Sequence, residues 1–123
     1  MTDTAVDGCA ILVVEDEYLL AKDLCAELAK NGAAIVGPAS TVEQGFALIS
    51  SAKGLSGAVL DVNLQGTPVF DLADELAARQ VLFVFTTGYD ASAIPERFRH
   101  VPRCEKPLRM ANVLQAISRI ALR

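Results

Sequence analysis

"CAILVVEDEYLLAKDLCAELAKNG", residues 9–32, places two kinds of regular structure in direct succession. Residues 9–14 (CAILVV) form a continuous apolar run, too short for a helix and suited to a strand buried on both faces. After the acids Glu15, Asp16 and Glu17 the period changes. Leu20, Leu24 and Leu28, joined by Ala21 and Cys25, make an apolar stripe at helical spacing, and Asn31-Gly32 supplies a C-cap. A strand that needs cover on both faces, followed at once by a one-faced helix, begins a βαβ unit.

The same alternation continues along the chain. AAIVG (33–37) reads as a second strand, and Ser40 or Thr41 can cap a helix through VEQGFALISSA (42–52). GAVLD (57–61) is a third strand. Pro68 suits the first turn of a helix that carries Val69, Leu72, Leu76 and Ala77 inward and ends near Arg79. VLFVF (81–85) is the most β-prone run. Residues 91–99 are interrupted by Pro95, so a fourth helix there is short or irregular. VPRC (101–104) is a brief fifth strand, and RMANVLQAISRIALR (109–123) is an amphipathic helix with Met110, Val113, Ile117 and Ile120 facing inward. These elements predict an α/β fold with a doubly wound, five-stranded parallel sheet, right-handed crossovers and helices on both faces. Residues 1–8 are expected to be a flexible tail and residues 9–123 one domain.

Bulk properties narrow the function classes. A chain of 123 residues matches one domain with one sizeable core. Its formal charge is −4, and its densest basic stretch is the scattered ERFRHVPR (96–103), which argues against direct nucleic-acid binding. No apolar run is long enough to cross a bilayer, and the start MTDTAVDG is acidic where a signal peptide is basic, so a cytoplasmic protein without a membrane partner is expected. Cys9, Cys25 and Cys104 are odd in number and widely spaced, which reads as free thiols in apolar surroundings. His100 is the only histidine, so a catalytic triad or histidine-based metal cage would rest on it alone; a loop or edge position is expected instead.

The chemistry gathers at strand ends. In open α/β sheets, sites form outside the carboxyl ends of strands where the strand order reverses. The first strand runs into Glu15-Asp16, the third ends in Asp61, the fourth in Thr86-Thr87 and the fifth in Glu105-Lys106-Pro107. With the order 2-1-3-4-5, the reversal brings Glu15 and Asp16 beside Asp61. Two carboxylates about 4 Å apart repel by roughly 4 kcal/mol at an effective dielectric near 20. Three together therefore take up protons or hold a cation. An all-oxygen donor set suits Mg²⁺ or Mn²⁺, and such an ion lets an Asp act as nucleophile toward a phosphoryl group. Each residue alone has a plainer explanation. Acids at a helix start complement the macrodipole, Asp61 and Thr87-Gly88 suit turns, and a lysine before proline is ordinarily solvated. Their shared position at strand tips favours a site.

LVVEDE (12–17), AVLDVNL (58–64), FTTGYD (85–90) and EKPL (105–108), in this order, resemble the receiver domain of two-component response regulators over nearly the whole chain. The resemblance implies a flavodoxin-like fold and a phosphoacceptor at Asp61, charged by a sensor histidine kinase or phosphotransfer protein. It further implies Asp16 as a direct Mg²⁺ ligand, Glu15 as an outer-shell ligand through water, and the backbone carbonyl of Asn63 as a further ligand. Thr87, rather than Thr86, matches the hydroxyl residue that bonds the phosphoryl group; Lys106 would pair with that group, and the Lys106-Pro107 bond is expected to be cis. FTTGY is further similar to the Phe-Ala-Thr-Gly (FATGUY-like) motif of a subgroup of single-domain receivers. Two departures stand out: Arg103 occupies the position, three before the lysine, where many receivers carry an aromatic switch, and Pro95 degrades the fourth helix. Tyr89 is a candidate replacement reporter, or a lid over the site.

The resulting expectation is a stand-alone phospho-switch that engages an unknown downstream protein or drains phosphate from a kinase. It would be a monomer or weak homodimer, and would catalyse only its own phosphorylation and dephosphorylation. No DNA-binding output domain is expected to follow Arg123. The alternatives are a small Mg²⁺-dependent phosphatase with Asp61 as nucleophile, and an interaction module indifferent to phosphate.

Overall fold

The computed structural model describes residues 6–88 and 94–121. Its elements in chain order are β1 (Ala10–Val14), α1 (Tyr18–Lys30), β2 (Ala34–Ala39), α2 (Val42–Ser51), β3 (Gly57–Asp61), β4 (Asn63–Leu64), β5 (Thr67–Pro68), α3 (Phe70–Ala78), β6 (Phe83–Thr87), β7 (Arg103–Glu105) and α4 (Met110–Ala121). Five strands form one sheet in the order β2-β1-β3-β6-β7, with every pairing parallel. This is the expected 2-1-3-4-5 order of a flavodoxin-like fold. Between β6 and β7 the described chain makes only a single 3-10 turn, Glu96–Phe98, directly after Pro95. No described helix is long and apolar enough to cross a membrane.

Side chains alternate across the sheet and divide the core into two layers. Leu12, Val14, Leu60, Phe83 and Phe85 pack with Ile49 of α2 and with Leu72 and Leu76 of α3. Ile11, Val13, Val59 and Val84 pack with Leu24 and Leu28 of α1 and with Val113 and Ile117 of α4. Phe83, Phe85, Phe98 and Phe70 form a connected aromatic group in the first layer, which ties the 3-10 turn to the sheet. Cys9 is buried, Cys25 and Cys104 half-buried, and all three thiols are free.

Several boundaries differ from the sequence reading, each for a local reason. β6 begins two residues later than expected because Val81 closes α3: Gln80 adopts φ 61°, and the Val81 N–H donates to the Leu76 carbonyl at 2.9 Å, a Schellman-type end. The Asn31-Gly32 cap of α1 ends the same way, with Gly32 at φ 97° and the Ala33 N–H on the Leu28 carbonyl at 3.1 Å. Pro68 does not open α3. It lies in a small antiparallel hairpin, β4–β5, whose turn residues Gln65 and Gly66 both have positive φ, and α3 follows from Val69. Ala77, placed inward by the sequence, is exposed, and Ala73 takes the buried position. β7 starts at Arg103 because the Val101 N–H is used in closing the 3-10 turn onto Phe98. Val6–Gly8, assigned by sequence to a loose tail, are tied down: Val6 is fully buried, and the Val6 and Gly8 N–H groups donate to the carbonyls of Asn31 and Gly32.

Candidate functional site

The C-terminal ends of β1, β3, β6 and β7 form one rim of the sheet. β1 is extended by one residue when the Glu15 N–H donates to the Ala39 carbonyl at 2.9 Å, and this carries the Glu15 side chain onto the face of Ile11 and Val13. Glu15 is 2% exposed, and its Oε2 accepts the Glu17 N–H at 3.0 Å, so the carboxylate also organises the entry to α1. Asp61 ends β3 and is 3% exposed. Its Oδ1 accepts the Asn63 N–H at 3.1 Å, and its Oδ2 accepts from Lys106 Nζ at 2.9 Å. The same ammonium lies 3.4 Å from Glu15 Oε1. Lys106 is held at the tip of β7 by its own N–H, which donates to the Thr87 carbonyl at 2.7 Å, and the Lys106-Pro107 bond is cis.

Glu15, Asp16 and Asp61 each offer a carboxylate oxygen, and these oxygens lie within 4.8 Å of one another. Burial pushes the Glu15 carboxyl up to about 7, assisted by the Asp61 charge and opposed by the Glu17 N–H and the Lys106 charge. For Lys106, burial alone would lower the pKa, but the hydrogen bond and charge of Asp61, followed by Glu15, outweigh it and raise the value. One ammonium among three acids leaves negative charge uncompensated, and beyond its 3.4 Å ion pair with Lys106, Glu15 Oε1 has no hydrogen-bond partner. An oxygen-only donor set of this kind fits a hard divalent cation.

The other expected residues lie close by. Thr86 and Thr87 are buried at the tip of β6, and both hydroxyls lack hydrogen-bond partners. Asn63 is exposed two residues beyond Asp61, where its side-chain oxygen accepts the Gly66 N–H within the hairpin. A cleft of about 570 Å³ lined by Gly88, Glu105, Lys106 and Pro107 opens beside the ammonium. Arg103 turns away from the site to donate to the Arg99 carbonyl at 3.1 Å. His100 is exposed in a turn, while Tyr89 lies outside the described residues. Sequence reasoning missed that Thr86 shares a face with Asp61; the signal was the in-register pairing of the two strand ends.

The fold has counterparts among solved structures. SdrG from Sphingomonas melonis Fr1 is 37% identical, with 95% of this chain and 98% of that chain covered and a TM-score of 0.76. The Erythrobacter litoralis PhyR response regulator REC domain is 25% identical, with 96% and 92% covered and a TM-score of 0.80. The chain belongs to the response regulator receiver family. A further receiver likeness is the BeF3-activated conformation of SdrG from Pseudomonas melonis Fr1, 37% identical over 99% of this chain and 98% of that one, with a TM-score of 0.72. No family model and no curated protein matches the chain. As a receiver, the protein presents its acidic cluster and its lysine at the rim where the fold reverses strand order.

Proposed function

We propose that this receiver is a stand-alone phospho-switch in which Asp61 takes a phosphoryl group from the phosphohistidine of a sensor histidine kinase or phosphotransfer protein. The observation that carries the reading is Lys106 Nζ, 2.9 Å from Asp61 and 3.4 Å from Glu15, within a cluster of three acids. An Asp61 carboxylate oxygen attacks phosphorus, the P–N bond breaks, and the departing imidazole nitrogen keeps the electron pair and takes a proton from solvent. Asp16, with Asp61, Glu15 through water and the Asn63 carbonyl, would hold Mg²⁺ or Mn²⁺, which supplies charge neutralisation between the carboxylate and the incoming group. Lys106 would follow the phosphoryl oxygens, and the Thr87 hydroxyl, which starts on the Phe85 side of the strand tip, would turn to bond them. The protein turns over nothing beyond its own acyl phosphate. The switched surface engages a downstream protein, or the domain drains phosphate from its kinase.

The test is incubation with acetyl phosphate, or with beryllofluoride, in the presence of Mg²⁺. The reading expects one stoichiometric adduct, lost in Asp61→Asn and absent after chelation of the metal. Turnover of external phosphate ester, or indifference of the parent protein to both reagents, would overturn it.

A further inference from the structure

Lys106 reaches Asp61 across an intervening strand. β6 lies between β3 and β7, so an ammonium group that leaves the tip of β7 and bonds a β3 carboxylate passes over the end of β6. Residues in register in a parallel ladder carry their side chains on the same face. Asp61 pairs with Thr86, and Thr86 with Cys104. Two residues beyond Cys104, Lys106 returns to that face. Val59, Val84 and Cys104, which precede or join this row, all pack in the α1–α4 layer. Thr86 therefore forms the floor beneath the Lys106–Asp61 pair. Thr87, one residue on, follows Phe85 toward the α2–α3 layer.

A floor requires only bulk, which alanine, as in the Phe-Ala-Thr-Gly motif, or a second valine after Val84 would supply. Threonine instead puts a hydroxyl there, on a residue with 0% exposure and with no hydrogen-bond partner for Oγ1. A buried hydroxyl left unpaired is costly, so such groups call for a role. Asp61 has acceptor capacity to spare, because its two oxygens offer about four lone-pair sites. Two of these are taken, by the Asn63 N–H and by Lys106. Rotation about χ1 between staggered wells re-aims the hydroxyl without moving the backbone.

We propose that Thr86 is a positioning residue: its hydroxyl donates to the Asp61 carboxylate when the Lys106 ammonium leaves that carboxylate for an incoming phosphoryl group. The inference rests on Asp61 being the phosphoacceptor. Its consequence is a nucleophile kept in place while its ionic partner changes allegiance.

Thr86→Val, Thr86→Ala and Thr86→Ser decide the matter. Phosphorylation of Asp61 by acetyl phosphate with Mg²⁺ is expected to slow by about tenfold in the valine and alanine variants, the scale of one hydrogen bond to a charged group, and to stay within about twofold of the parent in the serine variant. Mg²⁺ affinity without phosphodonor should be the same in all four proteins. In a metal-free Lys106→Ala background, the Asp61 carboxyl carbon resonance should shift on Thr86→Val and hold on Thr86→Ser. Equal rates in the valine and serine variants would overturn the proposal, whether both match the parent or both fall. If the parent forms no Asp61 adduct, the phospho-switch reading fails, and the resonance comparison still decides whether the hydroxyl engages Asp61. If valine prevents folding, the alanine and serine variants carry the comparison.

Discussion

At the residue scale, Glu15 shows what a sequence reveals about a site and what it conceals. An acid that follows CAILVV and precedes a helix is visible as a candidate, and the convergence of Glu15, Asp16 and Asp61 follows once strand order is assigned. The near-complete burial of Glu15 is not visible, because an acid at a helix start equally suits an exposed complement to the macrodipole. Burial has a pH signature. The folded protein holds a proton on Glu15 up to about pH 7, whereas the unfolded chain releases it near 4.5. The native state thus binds more protons in that window, and stability of the metal-free protein falls as pH rises through it. Glu15→Gln should flatten this part of the stability profile, which urea unfolding at several pH values between 5 and 8 would measure; an unchanged slope would assign the dependence to another group.

Among elements, the most informative features are ends and crossings. Thr41 was one of two candidate caps, and its side chain accepts the Gln44 N–H at 3.1 Å, while Ser40 bonds the Gln44 side chain. The apolar runs located every main strand, but β6 and β7 were displaced because turn closure claims their first residues, and a nonglycine αL position such as Gln80 leaves no compositional mark. The crossing of α2 and α3 depends on Gly45. A Cβ there would come within 2.6 Å of a Leu72 methyl carbon, and Leu72 is fully buried. Gly45→Ala is therefore expected to lose about 1–3 kcal/mol, in spite of alanine's better helix propensity. Chemical denaturation of Gly45→Ala against the parent checks the sign, since a helix governed by propensity alone would be stabilised.

For the whole molecule, the five-strand order, the layered covering and the position of the site were all legible, since continuous apolar runs alternating with amphipathic stripes admit few other arrangements. The hairpin β4–β5 and the docking of Val6 were not, because both depend on contacts made after the sheet exists. Among the described residues, the buried side chains form two separate clusters, one on each face of the sheet. Leu72→Ala in one layer and Ile117→Val in the other should accordingly give unfolding free-energy losses that add within about 0.5 kcal/mol. A larger interaction energy in that double-mutant cycle would mean the sheet transmits strain between its faces.

The alternation that divides those layers also assigns labour. Glu15, Asp61, Thr86 and Lys106 all belong to one side, while the phenylalanine group and Thr87 belong to the other. Neighbouring hydroxyls on one strand end are thereby addressed to opposite rooms of the molecule, Thr86 to the acids and Thr87 to the rings.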